Sequence, residues 1–112
     1  MEHTEELLRR LALNDEKAVG SVLQAAPAGI AGHIGGLDLK THALVRLGAL
    51  LTLGATTESC RLAVEVAHSA GATEDELVGV LVAVAPAVGL ARVVAAAPRL
   101  ALAIGYDVAD DL

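Results

Sequence analysis

Thr73-Glu74-Asp75-Glu76-Leu77 is the stretch whose reading decides the fold class. In a T-x-x-E run the threonine hydroxyl accepts from the amide three residues on. The glutamate reaches back to the threonine's own amide. Two of the orphan donors of a helix start are thereby satisfied. Leu77, Leu81, Val84 and Val88 follow at helical steps and share one face. The spacing therefore predicts a helix opening after Thr73 and closing at Gly89.

The same punctuation recurs on both sides. Upstream, Thr57 is read as the cap of a helix with Glu58 in its first turn and Gly71 just past its end. Before it, Asp38 opens a helix carrying Leu44, Leu47, Leu50 and Leu51, with Gly54 placed to stop it. Thr4 is read as the cap of a first helix, with Glu5 and Glu6 favouring its dipole. Asn14 or Asp15 starts a second helix running to about Ala25. Pro27 and Gly29 break the chain, 27–36 is expected to be irregular, and Gly35-Gly36 marks a turn. Downstream of Gly89 a last helix runs from Leu90 to about Ile104, and Pro98 is expected to bend or split it. The valines permit strands, but alternation is missing. The expected architecture is all-α: one domain over 1–112, a compact bundle of five to seven helices with the third to sixth as its core.

Composition sets the partners. Of 112 residues, 54% are hydrophobic and one tyrosine is the sole aromatic residue, so the apolar content is Ala, Val, Leu and Ile. A chain this short has limited interior, and the surplus apolar surface predicts a homo-oligomer. The net charge of −6 and the scattered Lys and Arg exclude a nucleic-acid binder. Cys60 stands alone, so no intramolecular disulfide forms. The acidic start Met1-Glu2-His3-Thr4 is unlike a signal peptide, and a cytoplasmic location is expected. The uncharged run Leu77–Ala91 is shorter than the roughly 20 residues of a membrane span and is interrupted by Pro86 and Gly89. A buried helix pair is expected there, and no membrane partner.

With the helices placed, Leu37-Asp38-Leu39-Lys40-Thr41, Glu58-Ser59-Cys60-Arg61-Leu62-Ala63-Val64 and Ala70-Gly71-Ala72-Thr73-Glu74-Asp75-Glu76-Leu77 come in an informative order. Together they resemble the carboxymuconolactone decarboxylase-like family of the alkylhydroperoxidase D-like superfamily, whose pattern runs "L-D-x-K/R-T-R", then "E-L-R-L-H-V", then "G-x-T-x-x-E-I". The resemblance makes 37–106 the family core and 1–36 a pair of N-terminal helices with an irregular connector. It implies an alkylhydroperoxidase D-like bundle whose protomers join through a helical core as trimers or hexamers. It also implies two chemistries, decarboxylation of a carboxylated lactone and thiol peroxidation through C-x-x-C-x-x-x-H. The family histidine falls on Ala63, and the two redox cysteines fall on Thr56 and Ser59. An alanine moves no proton, and a dithiol needs two sulfurs.

Other groups remain as candidates. Cys60 is the candidate catalytic thiol, with Arg61 beside it to depress its pKa; the plainer reading is a small apolar filler. His68, eight residues along and about 12 Å away, is out of its reach on one helix and suits a helix C-terminus instead. His42 and Arg46 lie four apart on one helical face. Joined by Arg61 or Arg92 they would suit a small carboxylate, with His33 at the pocket mouth. Ordinary surface placement, with Arg61 paired to Glu65, is the competing reading. No ligand pair such as H-x-x-x-H and no phosphate-binding loop is present, so neither metal nor cofactor is expected. Three functions fit: an oligomer binding a small organic acid, lactone or apolar metabolite between helices; a single-cysteine antioxidant enzyme; and a non-catalytic assembly module.

Overall fold

In the computed structural model of the chain, residues 2–24 and 36–106 are described. They form six α-helices and, among the described residues, no strand: α1 (Glu2–Ala12), α2 (Glu16–Leu23), α3 (Leu39–Leu53), α4 (Thr57–Ser69), α5 (Glu74–Val88) and α6 (Leu90–Ile104). The all-α expectation holds. The chain divides into two compact units, Met1–Asp38 and Leu39–Leu112.

In the first unit α1 packs on α2. The helix starts before Thr4, so Thr4 lies inside it and does not cap it. Asn14 and Asp15 divide the work that either one was expected to do. Asn14 adopts φ 58°, a conformation that its short polar side chain tolerates, and closes α1. The Asp15 amide then donates to the Arg10 carbonyl at 2.9 Å, while the Asp15 carboxylate accepts from Ala18 N at 3.0 Å and caps α2. The expected irregular segment, with Pro27, Gly29 and His33, lies outside the described residues.

The second unit is a four-helix arrangement in which α3 packs on α4 and α5, and α6 packs on α4 and α5. Its core is one cluster. Leu47, Cys60, Ala67 and Leu77 are completely buried, and Leu51, Val64, Ala96 and Leu100 nearly so. Core residues come from all four helices, as expected for the third to sixth. Gly48 lets α3 and α5 approach closely: a Cβ there would stand 3.2 Å from Val80 Cγ1. Gly71, at φ 98°, ends α4 in the left-handed conformation that side chains resist. The Ala72 amide then closes on the Ala67 carbonyl at 2.9 Å.

Two boundaries differ from expectation. The cap of α4 is Thr56, and Thr57 is the first helical residue. Pro98 does not split α6, which runs through it unbroken, as α5 does through Pro86. Each proline removes one helical amide, and the carbonyls so freed belong to Val94 and Val82, both exposed residues within reach of water. No helix among the described residues is long and apolar enough to cross a membrane.

Candidate functional site

Of the three positions that the resemblance marks as catalytic, Thr56 and Ser59 lie at the start of α4 and build its cap, and Ala63 lies at its middle. Thr56 Oγ1 accepts from Ser59 N at 3.1 Å and donates to Ser59 Oγ at 3.1 Å. Hydroxyls at these two positions thus satisfy a helix-start donor, which is N-cap chemistry. Ala63, one turn on, is half-buried against the core cluster. Thr56 and Ser59 are thus the side chains of a helix cap.

Cys60 follows Ser59 directly, and the roughly 100° step between helix neighbours turns it inward. It is completely buried in the core cluster. Burial pushes its thiol up from the ordinary range, and the Arg99 guanidinium opposes this only in part. The expected thiolate-favouring partner, Arg61, is engaged elsewhere. Arg61 Nη1 donates to Glu58 Oε1 at 3.2 Å, and Nη2 makes a long 3.5 Å contact with the Leu102 carbonyl. The pairing with Glu65 is replaced by one with Glu58.

The arginines gather at helix C-termini. Arg92 Nη1 donates to the Thr52 carbonyl at 2.9 Å, and the Arg99 guanidinium lies beside Gly54. Cations there complete the last carbonyls and complement the dipole. Arg92 is therefore committed to a backbone carbonyl, and Arg61 to Glu58. His68 Nδ1 donates to the Ala72 carbonyl at 3.1 Å, the C-terminal placement expected of it.

His42 and Arg46 remain on α3. His42 is half-buried, and its Nδ1 is shielded from solvent with no hydrogen-bond partner among the described residues. Arg46, one turn on, is exposed. A buried imidazole nitrogen left unpaired is costly, so it marks a place where a polar group is wanted. No group of three or more His, Cys, Asp or Glu side chains able to hold a metal occurs among the described residues.

With this geometry in view, the sequence profile of the carboxymuconolactone decarboxylase family matches residues 17–101, from α2 into α6. The chain belongs to the carboxymuconolactone decarboxylase family. Comparison with curated proteins and with solved structures finds no significant match to either.

Sequence reasoning missed two features of this family member. One is the tie across the α5 start. Lys40 Nζ donates to Glu76 Oε2 at 2.9 Å, and the Tyr106 hydroxyl donates to Glu74 Oε1 at 2.7 Å. A lysine just inside one cap and a glutamate inside another are a weak signal for such a bridge, because 36 residues separate them. The other is an open groove of about 680 Å³ in the first unit, lined by Leu7, Arg10, Lys17, Ala18 and Val22 among others. Among the described residues, none of the candidates lines it.

Proposed function

We propose that this carboxymuconolactone decarboxylase-family protein is a homo-oligomer that binds a small organic acid or lactone, with His42 and Arg46 as the ligand-facing pair. The observation that carries the reading is the unpaired, shielded Nδ1 of His42 one helical turn from Arg46. A guanidinium holds a carboxylate in fork geometry. An imidazole beside it offers a hydrogen bond or a proton to a ring oxygen. The trimeric or hexameric state belongs to the same reading and is supported by family membership together with the apolar surplus of the chain. The altered positions Thr56, Ser59 and Ala63 support a reaction that proceeds without the family histidine, or binding alone.

The single-cysteine antioxidant reading receives no support from the geometry. A thiol held in its protonated form inside the core is a poor nucleophile. The test is a thermal-shift and calorimetric screen of carboxylated lactones and the small acids of aromatic breakdown. A ligand should raise the melting temperature. Arg46→Gln should weaken its binding by about 10- to 100-fold, the worth of a hydrogen bond to a charged group. If no compound shifts the parent, or if Arg46→Gln and His42→Gln bind as the parent does, the reading is wrong.

A further inference from the structure

The groove of the first unit sets uncommitted cations beside an apolar floor. One wall is a face of α1 and the other a face of α2, and the two helices pack on each other. Ala18 is buried and Leu7 half-buried at its floor, and Val22 extends the floor along α2. The charges stand toward one end. Asn14 and Asp15 turn the chain there, with the Asp15 amide bonded to the Arg10 carbonyl. Arg10, in the last turn of α1, and Lys17, in the first turn of α2, flank that turn. Leu7 and Val22 lie about one helical turn farther from it. Arg10 donates Nε to Glu6 Oε2 at 3.3 Å, and its two Nη atoms reach no acceptor among the described residues. The Lys17 carbonyl accepts from Ser21 Oγ at 3.0 Å, but its ammonium has no partner among the described residues. Arg61 and Arg92, by contrast, are committed to Glu58 and to the Thr52 carbonyl. Among the residues lining the groove two positive charges face the single carboxylate of Glu6, in a chain of net charge −6.

We propose that this groove binds a medium-chain aliphatic carboxylate, its head between Arg10 and Lys17 and its hydrocarbon along Leu7, Ala18 and Val22. The site is separate from the His42–Arg46 pair and does not rest on the reading of that pair. Size is the first argument. A groove of about 680 Å³ falls within the roughly 300–1,000 Å³ of small-molecule sites. Chemistry then selects the ligand. Glu6 holds Arg10 at Nε, which leaves the edge formed by the two Nη atoms open to the paired oxygens of a carboxylate. The Lys17 ammonium adds a further donor from α2. An inorganic anion would leave the apolar floor in water, and a neutral hydrocarbon would gain nothing from the cations. The sole aromatic residue of the chain, Tyr106, is not among the lining residues, so an aromatic acid finds no ring to stack on. An extended polyanion needs a row of cations, and here there are two, at one end.

The experiment is an amide NMR titration of the isotope-labelled full chain with octanoate, butanoate, octan-1-ol and phosphate. It is repeated with octanoate on Arg10→Gln, Lys17→Gln and Arg9→Gln. Octanoate should move the amides of Leu7, Arg10, Lys17, Ala18 and Val22 along a saturable curve. Each buried methylene is worth about fourfold in affinity, so butanoate should bind more weakly by about tenfold or more. Octan-1-ol lacks the charged head and phosphate lacks the chain, and each should likewise lose about tenfold or more. Arg10→Gln and Lys17→Gln should each weaken octanoate by about tenfold. Arg9, next to Arg10 but not part of the lining, makes the same charge change and should leave octanoate binding as in the parent. The amide spectra also show whether each variant keeps its fold; if Arg10→Gln does not, Lys17→Gln carries the test. No saturation by octanoate overturns the site, as do shifts centred on His42 and Arg46. So do phosphate or octan-1-ol binding as tightly as octanoate, or equal losses from Arg9→Gln and from the two groove variants.

Discussion

Helices α4 and α5 begin alike and end up facing different surroundings. Each is capped by a threonine whose Oγ1 accepts from the amide three residues on, at 3.1 Å in both. Each buries a row of small and branched residues in the same core. They part company on the outside. The outer side of α4 carries Glu58, Arg61, Glu65 and His68, whereas that of α5 past its first turn carries Val78, Gly79, Val82, Ala83, Pro86 and Ala87. A cap determines where a helix starts and is indifferent to what surrounds it. The outer face determines whether that surrounding is water or protein. In this family member the outer side of α4 is mostly charged, with Leu62 exposed among those residues, and the outer side of α5 past its first turn is apolar.

The comparison is broken most forcefully from the inside. Leu77 is completely buried on α5, and Val82 is two thirds exposed on the same helix. Leu77→Ala should cost about 2–5 kcal/mol of stability by leaving a cavity among α3, α4 and α6 residues. Val82→Ala should change the stability of a single chain by no more than about 0.5 kcal/mol. Urea unfolding of both variants at low protein concentration checks this. Equal losses would mean that the two sides of α5 are not inner and outer.

The two caps provide a smaller and more even-handed test. Thr73→Ala and Thr56→Ala each remove a side-chain acceptor from a helix start, and each should cost about 0.5–2 kcal/mol. Thr73→Ala should lie toward the upper end. It also takes an oxygen from Glu76, whose carboxylate is shared among the Thr73 amide, the Thr73 hydroxyl and Lys40. Thr56→Ala loses one hydroxyl partner of Ser59 and no ion pair. Denaturant midpoints of the two variants, compared at neutral pH, measure the difference.

How far the site could be read ahead follows from the range of the forces involved. The capping box, the glycine at the end of α4 and the inward Leu77 and Leu81 were legible because each is a contest among residues within one or two turns. Thr56 was misplaced by one residue because Thr56-Thr57 offers two hydroxyls and only the backbone chooses between them. The altered positions were legible as absences, but their use as a cap was not. The filler reading of Cys60 was legible from the helix step, whereas the hydrogen bond from Arg92 to the Thr52 carbonyl and the long contact of Arg61 with the Leu102 carbonyl depend on partners about 40 residues away. Local spacing is silent about such partners.

The smallest effect is the one that best isolates the α5 start. Hydrogen bonds from the Thr73 amide and then from Lys40 hold the Glu76 carboxyl below its ordinary range. A carboxylate with a depressed folded value adds stability that is full above its unfolded value, near 4.3, and is lost as pH falls through the folded value. The parent should therefore lose stability on acidification below about pH 4.3. Glu76→Gln should start lower and lose less over the same interval, because an amide has no proton to take up. The corresponding position of α4 is Ser59, which does not titrate, so Ser59→Ala should shift the whole curve without changing its slope in that window. Melting temperatures from pH 7 down to 3 decide it. Parallel curves for the parent and Glu76→Gln would show that the capping box holds no charge of consequence, and the two helix starts would then be equivalent after all.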